Sequence, residues 1–504
     1  MTTEPIKRIL IVGGGTAGWM AAATLAHHYR NHALSIQLVE SEQIGTVGVG
    51  EATVPSIIRL NQYLGIREAD FIVATGATFK LGIEFADWQS QGESFFHPFA
   101  DFGVPVGGLP FFPIWLKLHR QGQAAPLQEY SLAASMALAG RFAQPDEQAR
   151  TPLALYSYAY HFDAARYAQL LRRYAEQRGV QRVEGKIIDV KLDAATGDIQ
   201  SVDLDSGASL SADLFIDCSG FRGLLIEQAL ATGFDDWGHW LPVDTAIAVQ
   251  SERRTPPPPF TRATATAAGW RWRIPLQDRS GNGHVFSSDY MSVEQATEEL
   301  MRNLDGDPLG DPRPIRFRTG MRKKFWHRNC VALGLASGFI EPLESTSISL
   351  IQTGIEKLFQ FLPDLIPQPE KVAEANRLNR AEYERLRDFI ILHYKLNGRN
   401  DSDFWRELRE IQVPDSLQQK MDAFAEDGRL LSLEQETFLE PSWLAIYNGL
   451  NFQPRGYLSD VDRLDSAQLA VVLKKMHRAV ATAATHAPSH DDFLRQTMAG
   501  VETH

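Results

Sequence analysis

Residues 11–19 read Ile-Val-Gly-Gly-Gly-Thr-Ala-Gly-Trp and place glycines at the GxGxxG positions Gly13, Gly15 and Gly18. In a turn with this spacing, the first glycine permits a tight bend and the second lets backbone amides approach a pyrophosphate. The third glycine allows the following helix to pack closely on the preceding strand. The stretch is therefore typical of a phosphate-binding turn between a strand and a helix.

The sequence on both sides of this turn has the pattern that a dinucleotide-binding unit needs. Residues 8–12 form a short apolar strand pattern, residues 16–29 a helix pattern, and residues 35–40 a second strand that ends on Glu40. The helix start supplies partial positive charge for phosphates, and an acid at this distance binds a ribose hydroxyl. A glycine-rich turn in an unrelated α/β protein is the alternative. The context instead favours a doubly wound α/β sheet that binds FAD or NAD.

The composition of the 504 residues is that of an ordinary globular protein, with 44% hydrophobic and 22% charged side chains. The formal net charge of -12 argues against nucleic acid or an anionic membrane as the main partner. Cys218 and Cys330 form no CxxC pair and no HExxH motif occurs, so no metal site is expected. We see neither a signal peptide nor an apolar run of the ~20 residues that span a bilayer, and we expect a cytoplasmic protein.

Further segments carry a resemblance to a known family. They are residues 48–55 (GVGEATVP), 214–222 (LFIDCSGFR), 269–275 (GWRWRIP) and 333–346 (LGLASGFIEPLEST). Together with Gly18-Trp19 they closely resemble the flavin-dependent tryptophan halogenases and their indole-halogenating relatives. The matching segments run from Gly13 to Tyr457, which is almost the whole chain. The combination of WxWxIP with GxGxxG is more specific than either motif alone.

The pattern and the resemblance together predict an α/β fold: an FAD-binding, doubly wound (Rossmann-like) core with an added, mainly helical C-terminal substrate lobe. Residues 1–80 and 151–360 are expected to form the FAD-binding core. Residues 81–150 are rich in Phe, Trp, Pro and Gly and lack clear periodicity, so we predict an irregular insertion that lines the substrate site. Residues 361–504 would form the helical lobe. The residues expected to bind FAD are Gly13, Gly15, Thr16, Ala17, Gly18, Glu40, Gly50, Glu51, Ala52 and Gly338.

The resemblance also implies a reaction. Reduced FAD, oxygen and a halide ion generate hypohalous acid, which passes through a tunnel to a separate substrate site. A partner reductase supplies the reduced flavin, and the sequence contains no second glycine-rich nucleotide turn. Trp270 and Trp272 match the WxWxIP tryptophans, which keep organic substrate away from the flavin. Their alternation with Arg271 and Arg273 is also typical of a half-buried strand, and both interpretations can hold together.

Lys80 matches the essential lysine of the family. Its neighbours Phe79 and Leu81 are apolar, so the ammonium is easily desolvated, which would lower its pKa. A neutral amine could form a haloamine with hypohalous acid, whereas a protonated one could orient the acid by a hydrogen bond. The sequence leaves both roles open. Without the resemblance, a lysine whose head group reaches the surface would be the favoured interpretation.

Glu344 matches the family glutamate that stabilises the cationic ring intermediate and takes the ring proton. Glu341 is a competing carboxylate that spacing alone does not exclude. Glu344 could also be an acid that merely favours a helix start. The family's halide site uses backbone amides at a Thr-Gly pair, here Thr346 and Ser347. Two amides at a helix start suit an anion, and because the glycine is replaced we expect bromide to be used more readily than chloride.

His97 and Phe99 match a segment whose side chains pack against the indole ring, although ordinary core packing is the alternative. Residues 430–443 depart from the true tryptophan halogenases because they contain no Tyr-Tyr pair, and Phe438 takes the place of the clamping tryptophan. We therefore expect indole or a larger indole-bearing molecule rather than free tryptophan.

Two other functions are alternatives to a halogenase. The first is a flavin monooxygenase that hydroxylates its aromatic substrate, and the second is a flavin-binding partner protein without catalysis. The matches at Trp270, Trp272, Lys80 and Glu344 favour the halogenase. The sequence leaves a homodimer open.

Overall fold

The computed structural model describes residues 5–43, 50–146 and 156–500. Gly48 of the predicted flavin segment and the predicted boundary between residues 150 and 151 lie outside the described residues. The β-strands are β1 Arg8–Val12, β2 Ser35–Glu40, β3 Gly50–Ala52, β4 Thr78–Lys80, β5 Gly82–Ala86, β6 Ser94–Pro98, β7 Ala159–Asp163, β8 Gln181–Glu184, β9 Ile187–Leu192, β10 Ile199–Leu204, β11 Ser209–Leu210, β12 Leu214–Asp217, β13 Phe234–Asp236, β14 Thr245–Glu252, β15 Thr261–Ala265, β16 Gly269–Pro275, β17 Arg279–Phe286, β18 Arg313–Arg316, β19 Gly320–Arg322, β20 Trp326–His327, β21 Cys330–Ala332 and β22 Gly338–Phe339.

The α-helices have a wide range of lengths. They are α1 Thr16–His28, α2 Ser56–Tyr63, α3 Glu68–Thr75, α4 Phe111–Arg120, α5 Leu132–Leu138, α6 Ala164–Glu176, α7 Val293–Arg302, α8 Ser347–Phe361, α9 Pro369–Lys395, α10 Asp403–Glu410, α11 Asp415–Asp427, α12 Glu440–Gly449, α13 Ser466–His486 and α14 His490–Ala499. Within the described part of the chain, every helix is too short or too polar to cross a membrane.

The chain divides into two compact units. The first unit contains Met1–Ala77, Phe162–Pro242 and Arg316–Glu384, and the second contains Thr78–His161, Val243–Ile315 and Arg385–His504. The assignment of residues 1–80 and 151–360 to FAD binding, of 81–150 to the lining of the substrate site and of 361–504 to a substrate lobe concerns binding. This division of the chain does not bear on binding, so the assignment stays a prediction.

The first unit contains the six-stranded sheet β20-β21-β12-β1-β2-β8. Strand β1 lies between β12 and β2 and is parallel to both, with Val12 opposite Asp217 and Val39. Four of the five residues of β1 are buried, which explains why its sequence is a continuous apolar run instead of an alternating one. Because β1, α1 and β2 follow the predicted order and parallel pairing, the predicted doubly wound, Rossmann-like α/β core is confirmed.

The second unit contains the seven-stranded sheet β18-β14-β17-β16-β15-β5-β6, and helices α10 to α14 belong to the same unit. Strand β16 pairs antiparallel with β17, which places Trp270 opposite Val285 and Trp272 opposite Gly283. Strand β4 pairs antiparallel with β7, with Lys80 opposite Ala159. The prediction of a mainly helical C-terminal region is confirmed by α9 to α14.

The prediction that residues 81–150 are irregular is wrong for much of that stretch. It contains strands β5 and β6 and helices α4 and α5. Four of the five residues of β5 are buried, so no polar alternation marks it as a strand. Helix α4 is only ten residues long, and seven of these are buried, so its helical period is hidden by a nearly continuous apolar sequence.

Candidate active site

The glycine turn joins β1 to α1 in the first unit. Gly13 has φ +110°, and a Cβ atom there would lie 2.4 Å from the carbonyl oxygen of Cys218. A Cβ atom on Gly18 would lie 1.8 Å from the carbonyl oxygen of Gly13, so the helix passes too close for a side chain. A Cβ atom on Gly15 would meet nothing within 4 Å. The first and third glycines are thus required by the fold, whereas the second borders open space.

Helix α1 begins at this open side. Gly15 is its N-cap residue, and no side-chain hydrogen bond caps the helix within the described part of the chain. The first amides, including those of Thr16 and Ala17, therefore remain available for an anion at the positive end of the helix dipole. This open, amide-lined turn fits the diphosphate of a dinucleotide.

Glu40 ends β2 beside the turn. A Cβ atom on Gly14 would lie 1.4 Å from Oε2 of Glu40, so the carboxylate contacts the turn itself. The other oxygen, Oε1, accepts a hydrogen bond from Nε of Arg182 at 2.5 Å. Arg182 lies on β8, the strand that pairs with β2. Sequence reasoning missed this arginine because its partner is 142 residues away.

The other residues predicted to bind FAD lie in two further strands of the first unit. Gly50, Glu51 and Ala52 form β3, and burial raises the pKa of the Glu51 carboxyl to about 7. Gly338 begins β22 opposite Met321, and a Cβ atom there would lie 2.8 Å from the Tyr383 ring. The Gly338 position therefore has no room for a side chain.

Lys80 ends β4 in the second unit, and its side chain is fully buried, with 0% exposed. Its Nζ atom lies 5.0 Å from the centroid of the Phe99 ring. Burial first, and the charge of Lys80 second, lower the pKa of His161 well below its ordinary value. The imidazole nitrogens hydrogen-bond with the hydroxyls of Thr78 at 3.0 Å and Thr261 at 2.9 Å. The alternative of a surface lysine is therefore wrong.

The predicted substrate residues are brought together in the second unit. His97 is fully buried, and its ring centroid lies 6.4 Å from that of Phe99 and 5.8 Å from that of Phe438. Phe438 stacks on Phe389, with ring centroids 4.3 Å apart. Phe389 also meets Trp443 edge-on at 5.1 Å. Sequence reasoning missed Phe389, because a phenylalanine inside a long helix carries no local signal that separates a binding wall from core packing.

Trp270 and Trp272 lie on the same side of β16, with ring centroids 6.0 Å apart. The Trp272 ring lies across Gly283 of β17, where a Cβ atom would come within 2.0 Å of ring atom Cζ2. Arg271 and Arg273, which alternate with the tryptophans along β16, are half-buried. Burial lowers the pKa of Arg273 to about 10. The predicted strand is confirmed, but its burial does not alternate, because Trp272 is half-buried like both arginines. The shielding role stays a prediction.

Glu344 and Glu341 lie in the first unit at a short 3-10 turn, Pro342–Glu344, and both are fully buried. Burial therefore does not rank the two carboxylates. Ser345 follows with φ +61°, and Thr346 is the N-cap residue of α8, which begins at Ser347. The buried Thr346 hydroxyl has no hydrogen-bond partner among the residues that the structure describes. The start of α8 thus presents backbone amides and a polar hydroxyl that suit an anion.

The predicted residues fall into both units. The flavin turn, Glu344, Thr346 and Ser347 belong to the first unit, whereas Lys80, the aromatic set and the two tryptophans belong to the second. In the described ranges, no group of three or more His, Cys, Asp or Glu side chains could hold a metal ion.

The family model described as "Tryptophan halogenase" matches residues 8–466 of this chain. The chain belongs to the tryptophan halogenase family. The tryptophan 6-halogenase SttH of Streptomyces toxytricini is 39% identical to this halogenase over 84% of each chain. BrvH, a flavin-dependent halogenase from Brevundimonas sp. BAL3, has a structure that matches with a TM-score of 0.95 at 48% identity, covering 98% of this chain and 99% of BrvH.

A flavin-dependent halogenase from Xanthomonas campestris matches with a TM-score of 0.94 at 45% identity, covering 98% of this chain and 99% of the other. The protein is therefore an enzyme, a flavin-dependent halogenase, and the predicted family is confirmed. Membership of this family implies the use of FAD and a halide ion.

Proposed function

We propose that this halogenase transfers a halogen atom to an indole-like, electron-rich aromatic ring, using bromide or chloride, oxygen and reduced FAD from a separate flavin reductase. The observation that carries the proposal is the fully buried Lys80, whose Nζ atom lies 5.0 Å from the Phe99 ring centroid. An amine held inside the protein beside an aromatic ring is placed to act on an aromatic substrate. The names of relatives such as the tryptophan 6-halogenase SttH support an indole ring.

The glycine turn would hold the FAD diphosphate. The amides of Thr16 and Ala17 at the start of α1 would donate to its oxygens, and Glu40 would accept hydrogen bonds from the ribose. Arg182 would hold the Glu40 carboxylate in its orientation. Gly50, Glu51, Ala52 and Gly338 would contact the rest of FAD. When bound in its reduced form, FAD would supply with oxygen the oxidising power that converts halide into hypohalous acid.

Lys80 would pass the halogen to carbon. As a neutral amine it would attack hypohalous acid, forming an N–halogen bond and releasing water, and the ring carbon would then take the halogen and restore the amine. As an ammonium it would donate a hydrogen bond to the oxygen of hypohalous acid. When carbon takes the halogen, that oxygen would take the ammonium proton and leave as water, and the ring proton would restore the ammonium.

Glu344 would stabilise the cationic ring intermediate and accept the proton that the ring carbon loses. The amides and hydroxyl at Thr346 and Ser347 would bind the halide ion. Because Ser347 stands where the family has glycine, the start of the helix would adopt a different conformation, and we infer that bromide is used more readily than chloride. The tryptophans Trp270 and Trp272 would exclude the organic substrate from the flavin, so that halogen and not oxygen is transferred.

His97, Phe99 and Phe438 would form the walls for the ring. Their apolar faces suit a flat heteroaromatic such as indole, and the absence of the Tyr-Tyr pair from residues 430–443 argues against free tryptophan. A cytoplasmic location would suit both cysteines, which are free thiols and whose pKa values are raised by burial.

The experiment that tests this function is product mass spectrometry. The protein is incubated with indole, FAD, a generic flavin reductase and NADH, with and without bromide. We expect a monobrominated product that depends on bromide, on FAD and on the protein. A product that gains oxygen but never halogen would favour the rival function, hydroxylation by a flavin monooxygenase.

A further inference from the structure

The segment between α11 and α12 contains Phe438, and one lysine side chain contacts this segment at more than one point. Lys420 lies on α11 in the second unit, and its Nζ atom is 2.5 Å from Oε1 of Glu436. The same ammonium donates a hydrogen bond to the carbonyl oxygen of Leu431. It also lies 4.3 Å from the centroid of the Trp443 ring. One cation on α11 therefore contacts two residues of the segment and one residue of α12.

The ion pair of Lys420 and Glu436 is almost completely removed from water, with 4% and 6% of the side chains exposed. Taking two charges out of water offsets most of their mutual attraction, so such a pair contributes little net stability compared with a well-packed apolar pair. Its better-supported use is to select one conformation, because any displacement leaves a buried charge without its partner. The buried ion pair thus indicates that the segment between α11 and α12 is held in one conformation.

The contacts of Lys420 lie on both sides of Phe438 in the chain. Glu436 precedes Phe438 by two residues, and the indole Nε1–H of Trp443 donates to the Phe438 carbonyl oxygen at 3.0 Å. The Trp443 ring that makes this hydrogen bond is the one that the Lys420 ammonium faces. Lys420 therefore constrains the Phe438 backbone from both sides, through Glu436 before it and Trp443 after it.

The Phe438 ring in turn forms part of a buried aromatic group. It stacks on Phe389 with an interplanar angle of 23° and lies 5.8 Å from the His97 ring. The stacking contact depends on the exact position of the ring, because dispersion attraction falls steeply when a ring moves by 1 Å. A small displacement of the segment would change the contacts of the Phe438 ring with Phe389 and His97.

We propose that Lys420 is a positioning residue for substrate selectivity: through Glu436 and Trp443 it fixes Phe438 as a wall of the aromatic site. This inference rests on the proposed function, in which His97, Phe99 and Phe438 face the substrate. Lys420 itself need not touch the substrate.

The test compares Lys420→Met and Glu436→Gln with the wild-type enzyme. Methionine keeps most of the lysine stem, and glutamine keeps the shape of glutamate, so each removes mainly a charge. We expect KM for indole to rise about tenfold, with kcat changed by about twofold or less, because ring contacts weaken while the reacting groups are untouched. With a substituted indole that has two reactive positions, the ratio of positional isomers should shift.

Lys357→Met is the matched control. Lys357 and Glu382 form an ion pair in the first unit with the same 2.5 Å separation and 6% exposure of each side chain. This control should lower thermal stability to a similar extent but leave KM and the isomer ratio unchanged. Thermal unfolding of all variants separates a loss of folding from a loss of selectivity, and Glu436→Gln provides the readout if Lys420→Met does not fold.

A second background tests whether Lys420 acts through Phe438. Adding Lys420→Met to Phe438→Ala should raise KM no further, because the wall that the lysine positions is already gone. Equal effects of Lys420→Met with and without Phe438, or an unchanged KM and isomer ratio in the folded single variants, would overturn the proposal. Failure of the proposed function would be seen separately, as wild-type protein that halogenates no indole.

Discussion

The Nζ atom of Lys80 lies 5.0 Å from the centroid of the Phe99 ring, and strand pairing maintains this approach. The backbone N–H of Phe99 donates to the carbonyl oxygen of Leu81, the residue after Lys80, at 2.9 Å. The amine that a halogenase would need is thus held against a predicted substrate wall by the backbone itself.

The glycine turn offers a test that separates folding from cofactor binding. We expect Gly15→Ala to fold normally but to weaken FAD binding by about tenfold, because its methyl group enters the open space where the diphosphate would lie. Gly13→Ala is the contrasting variant, since its φ of +110° and a 2.4 Å approach to the Cys218 oxygen strain the backbone. It should lower the unfolding free energy by about 2 kcal/mol or more. FAD titration and thermal unfolding measure the two effects, and equal effects of both variants on folding would contradict the assignment.

Glu51 gives the cofactor-free protein a pH-dependent stability. Burial raises the pKa of its carboxyl from 4.5 to about 7, so the folded protein retains a proton that the unfolded chain has lost. Its contribution is fully present below the unfolded value and is lost as pH rises through about 7, by at most about 3 kcal/mol. Glu51→Gln should therefore gain stability relative to wild type between about pH 5 and about pH 8 in denaturant unfolding. An unchanged difference between the two proteins would show that the carboxyl titrates normally.

Gly283 should control the Trp272 shield. In Gly283→Ala the new methyl group would lie 2.0 Å from Cζ2 of Trp272, so the ring has to move. We expect the yield of halogenated product per flavin oxidised to fall severalfold, with hydrogen peroxide or hydroxylated product rising in its place. Gly310→Ala is the matched control in the same unit, because a Cβ atom there meets nothing within 4 Å. A normal yield from Gly283→Ala would remove Trp272 from the mechanism.

Halide choice should depend on Ser347. We expect the wild-type enzyme to give mainly brominated product when bromide and chloride are supplied together at equal concentration. Ser347→Gly, at the first position of α8, should increase the chlorinated fraction because the start of the helix can then adopt the family's conformation. Quantitative mass spectrometry of the two products decides the matter. A wild-type enzyme that mainly chlorinates would contradict this prediction.

The local parts of the fold could be predicted from the sequence, and the long-range parts could not. The strands at residues 8–12 and 35–40 were predicted at their observed bounds because a turn with glycines at fixed spacing limits the elements beside it. Strand β5 was missed, since a strand buried on both faces lacks an alternating pattern.

The same distinction holds for the candidate site. The motifs that the family carries gave Lys80 and His97, and the structure buries both. The partners that surround them, such as His161 and Phe389, come from distant positions in the chain. Only folding brings such residues together, and their own sequence neighbourhoods carry no signal of that contact.

The most direct test of the account is the yield of brominated indole per reduced FAD oxidised, compared between wild type and Lys80→Ala. Lys80→Met serves as a control that keeps the buried stem but not the amine, and thermal unfolding shows that both variants fold. We expect both variants to oxidise reduced FAD at the wild-type rate while losing bromination by about a thousandfold or more. Brominated product from either variant at the wild-type yield would contradict it.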